Sequence, residues 1–212
     1  MKKLAKLFVL IILLGCGSED SGSLNNDAIA NKYFNKEEIH ELSELLNFFE
    51  NQVGIETSTN NFYNSYERFF EILNPKEIEI LISFERQESF LADINPKLLN
   101  ELWYYEQEFV PYLNDTVQIV RYPKKGKYFE FLFAASKKDK GIEKYFEDYI
   151  AAGSMSPTLL AYTMKYHKEN GVNYNLNLER NRLIISINYL IYNEQLRLDE
   201  IQRNKKSSVH NK

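Results

Sequence analysis

Phe34-Asn35-Lys36-Glu37-Glu38-Ile39 is the stretch that decides the fold class. Asn35 and Glu38 stand three apart, as in a capping box, where each side chain takes up a backbone N–H that a new helix leaves unpaired. Phe34 and Ile39 fall at the two positions of a hydrophobic staple. The same arrangement recurs downstream. Asn74-Pro75 places a cap before a proline at the first helical position, with Glu77 third in the helix and Leu73 opposite Ile78. Asn95-Pro96 repeats it with Ile94 and Leu99, and Ser156-Pro157 with Met155 and Leu160. Repeated capped starts with matched staples predict an all-α domain of six to eight helices.

Apolar spacing agrees with the caps. Ile39, Leu42, Leu46, Phe49 and Val53 form one stripe at helical period before Gly54. Phe62, Tyr66, Phe69, Phe70 and Leu73 form a second, and Ile142, Tyr145, Phe146, Tyr149 and Ile150 a third, ended by Gly153. A fourth helix is predicted from Pro157 to Asn170, and a long last one from about Asn177 to Arg203. Between these, Thr116 to Tyr122 and Tyr128 to Phe133 flank Pro123-Lys124-Lys125-Gly126-Lys127, which reads as a short β-hairpin near 116–133. The competing reading makes Lys127 to Ser136 a helix.

The first twenty residues carry a different signal. Lys2, Lys3 and Lys6 precede the apolar run Leu7 to Leu14, and small Gly15 precedes Cys16, the only cysteine. Eight apolar residues fall short of the about 20 that a spanning helix needs, so the segment reads as an export signal. Leu13-Leu14-Gly15-Cys16 resembles the lipobox of bacterial lipoproteins. The resemblance implies cleavage before Cys16, acylation there, and a membrane anchor supplied by lipid. Gly17 is not the aspartate that favours inner-membrane retention in enterobacterial lipoproteins, which implies an outer-membrane destination. Glu19-Asp20 is similar to the acidic surface-export signals of Bacteroidetes lipoproteins. With no second cysteine, no intramolecular disulfide can form. The expected organisation is a signal peptide at 1–15, a lipidated flexible tether at 16–31, a helical domain at 32–204 and a disordered polar tail at 205–212.

Removal of residues 1–15, with three lysines and no acid, takes the net charge from −4 to −7. The remainder is asymmetric: residues 17–115 hold 20 acidic and 6 basic side chains, residues 116–212 hold 10 and 17. Such halves attract each other within a fold, or else the basic one faces an anionic partner. Lys124, Lys125, Lys137 and Lys138, with Arg121, Lys127 and Lys140, would form a patch if their loops lie together. An acidic, exported chain is a poor partner for nucleic acid.

Catalytic signals are sparse. The three histidines include no HExxH pair, and there is no GxSxG, SxxK or phosphate-cradling glycine loop. His40 falls on a charged helix face, His210 in the polar tail, and His167 beside Leu160 and Met164 on one helix face. Glu85, Arg86 and Glu88 read as a surface charge run. Trp103-Tyr104-Tyr105 offers rings with polar tips that could line a groove for sugar or peptide. The reading is a lipid-anchored envelope protein with a non-enzymatic binding, scaffolding or accessory role and no cofactor. Its partners are the membrane through Cys16 and an envelope protein or glycan. Alternatives are an envelope hydrolase using carboxylates and His167, and a toxin-immunity lipoprotein.

Overall fold

A computed structural model describes residues 22–55, 62–72, 82–111, 114–152, 160, 170–171 and 174–210. Eight helices lie among them: α1 (Ala30–Tyr33), α2 (Lys36–Gln52), α3 (Phe62–Ile72), α4 (Phe84–Asp93), α5 (Pro96–Leu102), α6 (Lys127–Ser136), α7 (Lys140–Ala152) and α8 (Glu179–His210). One antiparallel hairpin, β1 (Tyr104–Val110) and β2 (Asp115–Arg121), sits between α5 and α6. The all-α domain with a short hairpin is therefore what forms.

Of the predicted caps, the two that fall among the described residues are in place. Asn35 Oδ1 accepts from the Glu37 and Glu38 amides at 2.9 and 3.0 Å, and Glu38 Oε2 accepts from Asn35 N at 2.9 Å. Asn95 Oδ1 accepts from Lys97 N at 3.0 Å ahead of Pro96. A start not read from the sequence is Ser83, whose hydroxyl accepts from Arg86 N and opens α4. The Asn74-Pro75 and Ser156-Pro157 starts and His167 lie outside the described residues.

Helix α8 is the axis of the fold. Every residue from Arg180 to Ile191 is buried, so this stretch is enclosed on all sides. It packs on α2, α4, α6 and β2. Rings knit the first of these contacts, with Phe49 of α2 5.5 Å from Phe69 of α3 and 5.3 Å from Tyr189 of α8. Three polar side chains that α8 buries meet partners from the rest of the fold: Arg180 with Asp27 at 2.5 Å, Arg182 with Glu50 at 2.7 Å, Asn181 with Asp139 at 2.9 Å.

Three expectations are corrected. The hairpin lies upstream of its expected place: β2 pairs with β1, placing Tyr104 opposite Arg121 and Phe109 opposite Thr116, while residues 127–136 are helical. Gly126, at φ 102°, turns the chain out of the extended region, and Tyr128, Phe131, Leu132 and Ala135 then fall on one buried helical face. Residues 22–31, expected within a flexible tether, are part of the fold. Leu24 is fully buried in a 3-10 turn (Leu24–Asn26), and Asp27 is held by Arg180. Finally, α8 continues to His210 through the segment expected to be a disordered tail.

Candidate functional site

Helices α6 and α7 pair with each other, and their outward side carries a line of rings. Phe129 and Phe133, one turn apart on α6, both meet Phe146 of α7 at 5.6 Å. Phe146 stacks in turn on Tyr149 at 6.3 Å. Both ends of this line reach solvent, at Phe133, 41% exposed, and at Ile150, 53% exposed. Beside Ile150 a cavity of about 130 Å³ opens, lined by Lys124, Phe129, Tyr149 and Ile150.

The floor of that cavity is fixed from behind. Tyr149 donates its hydroxyl hydrogen to the Pro123 carbonyl, which holds the loop carrying Lys124. Tyr122 meets Tyr149 edge-on at 5.4 Å, and the Tyr122 and Tyr145 hydroxyls both donate to Asn188 Oδ1 of α8, at 3.0 and 3.1 Å. Burial, with the Tyr104 phenol nearby, raises Tyr149 well above the ordinary tyrosine value, so it stays neutral at physiological pH. The lining thus offers apolar surface, one protonated phenol already engaged, and one ammonium at the rim.

The residues singled out in the sequence separate. Trp103 is 1% exposed and belongs to the core, so it cannot line a groove with its neighbours. Tyr105 donates to Glu194 Oε1 at 2.9 Å, and burial first, then that carboxylate, push its phenol up to about 12. Tyr104 is exposed and neighbours the cavity through Tyr149. Lys124 and Lys125 lie before α6, whereas Lys137 and Lys138 follow it. All four are exposed, but ten residues of helix, about 15 Å, separate the two pairs, so they do not form one patch. Lys137 places its ammonium 4.7 Å over the Phe133 ring.

Other chemistry is accounted for elsewhere. His40 faces solvent beside Glu44 at 3.5 Å. Glu88 pairs with Arg197 at 3.2 Å, and Arg86 donates to Gln52 at 3.2 Å, so Glu85, Arg86 and Glu88 lie at the surface while Gln87 between them is buried. Among the described residues no group of three or more His, Cys, Asp or Glu could hold a metal ion, and no helix is long and apolar enough to cross a membrane. The walls of the cavity were missed as a site because Phe146, Tyr149 and Ile150 read as an interior stripe. A helical reading of 127–136 would have set Phe129 and Phe133 on a shared face. Comparison with protein-family models, curated proteins and solved structures finds no match to the chain.

Proposed function

We propose that the chain is a lipid-anchored envelope protein whose helical domain binds a ligand without transforming it. The anchor rests on Leu13-Leu14-Gly15-Cys16 after a basic and apolar leader. The binding role rests on one observation, the aromatic cavity rimmed by Lys124. At about 130 Å³ it is smaller than the roughly 300–1,000 Å³ that encloses a drug-sized molecule. It therefore suits one ring or a short alkyl end of a larger ligand, with the ammonium meeting an anionic substituent. Among the described residues lining the cavity, neither Tyr149 nor Lys124 faces a partner acid or base, which favours binding over hydrolysis.

Anilinonaphthalene sulfonate, an anionic aromatic probe, tests this. Its fluorescence should rise on the folded protein, and Lys124→Glu and Ile150→Glu should each abolish most of the rise while leaving helical circular dichroism unchanged. Equal enhancement in wild type and both variants would refute the assignment of this cavity.

A further inference from the structure

Gly22 is already part of the fold. Its carbonyl accepts from Glu179 N at 2.7 Å, and Leu24 N donates to Glu179 Oε2 at 2.6 Å. Between Cys16 and Gly22 there are therefore only six peptide steps, at most roughly 20 Å of chain. A domain on so short a lead lies against the surface it is anchored to.

Which side it turns follows from the neighbours of Gly22. Glu179 opens α8; two residues further, Asn181 Nδ2 donates to Asp139 Oδ2 at 2.9 Å, and Asn175 N donates to the same oxygen at 3.2 Å. Tyr174 lies so close to Gly141 that a Cβ there would come within 2.7 Å of its ring. The anchored end thus emerges beside the turn between α6 and α7. That turn exposes Lys137, Lys138 and Lys140. Its one carboxylate, Asp139, is buried and already engaged, accepting from Ile142 N at 3.0 Å as well as from Asn175 and Asn181. None of the three lysines joins an ion pair among the described residues. By contrast, Arg121, Lys127, Arg180, Arg182 and Arg197 pair with acids of the first half. Phe133 stands beside Lys137 with 41% of its surface exposed.

We propose that Lys137, Lys138 and Lys140, with Phe133, form a second contact with the bilayer, set against its anionic headgroups. The orientation rests on the lipid-anchor reading above. Lysine stems lie along apolar surface while their ammonium groups reach phosphate, and an adjacent exposed ring enters the interface. The cavity beside Lys124 is then at the end of α6 away from the bilayer, open to ligand.

The test uses the mature chain beginning at residue 16 with Cys16→Ser, so that no acyl chain contributes, and sedimentation with vesicles of phosphatidylethanolamine and phosphatidylglycerol. Combined Lys137→Gln, Lys138→Gln and Lys140→Gln should weaken binding about 100-fold, since each lysine near such a surface contributes roughly fivefold. Lys125→Gln, at the opposite end of α6 and outside the cavity lining, should bind as the parent does. Phe133→Trp should shift its emission to the blue on these vesicles and not on phosphatidylcholine alone. Unchanged binding of the triple variant, an equal loss in Lys125→Gln, or no emission shift overturns the proposal. Absence of lipid at Cys16 in the native chain would instead remove the anchor reading and leave the vesicle result standing, so the two failures are distinguishable.

Discussion

Arg182 shows how much of this fold depends on single buried charges. Its Nε donates to Glu50 Oε1 at 2.7 Å and its Nη1 to the Leu176 carbonyl at 2.8 Å, while the Tyr66 hydroxyl donates to the same Glu50 oxygen at 3.0 Å. Both ion-pair side chains are at most 4% exposed. Burial raises the Glu50 carboxyl above its ordinary value, and Arg182 opposes that shift. Arg182→Met should therefore cost about 3–5 kcal/mol in urea unfolding, because Glu50 would stay buried without its counter-charge. Adding Glu50→Gln should recover part of the loss; a single variant as stable as wild type would contradict the assignment. Such pairs were not legible residue by residue. The sequence displayed an acidic first half and a basic second half, but which acid meets which base is fixed by tertiary packing, the two buried pairs joining residues 132 and 153 apart along the chain.

At the scale of elements, caps were the most legible feature, since a cap needs only neighbours in sequence. The start of α2 is held by more than its cap: Lys127 Nζ reaches Glu38 Oε1 at 2.5 Å, so the box also ties α2 to α6. Burial pushes the Glu38 carboxyl up, but the hydrogen bonds from Lys127 and Asn35 outweigh it and hold the group below its ordinary value. The folded state thus binds this proton less readily than the unfolded one. The resulting stability is present above the ordinary carboxylate value and is lost as pH falls through the lower folded value. Glu38→Gln should flatten that part of the acid limb in thermal unfolding scans, and an unaltered limb would contradict the role given to Glu38. The hairpin was less legible. Thr116 to Arg121 carries the β-branched pattern, but its partner could be sought on either side, and only the turn at Gly126 and the buried face of α6 decide for β1. Trp103-Tyr104-Tyr105 misled for a related reason: Trp103 closes α5 and is buried, whereas Tyr104 and Tyr105 begin β1 and are both exposed, Tyr104 near Tyr149 and Tyr105 bonded to Glu194.

For the whole molecule, the charge asymmetry resolves into two uses. Arg180, Arg182, Arg197 and Lys127 neutralise acids of the first half, whereas the lysines flanking α6 remain at the surface. The sequence left both uses open for all of them, because charge counts carry no direction. On the proposed acylation of Cys16, the short lead from that residue brings one end of α6 near the anchoring surface and leaves the aromatic cavity at the other. The proposed orientation at the membrane depends on acylation at Cys16. Intact-mass analysis of the full-length product, extracted from membranes with detergent, tests it most directly. The account predicts a chain beginning at Cys16 and heavier than its amino-acid mass by the added acyl groups, with Cys16→Ser protein lacking that increment and released from membranes. A native product whose mass equals an unmodified polypeptide would contradict it.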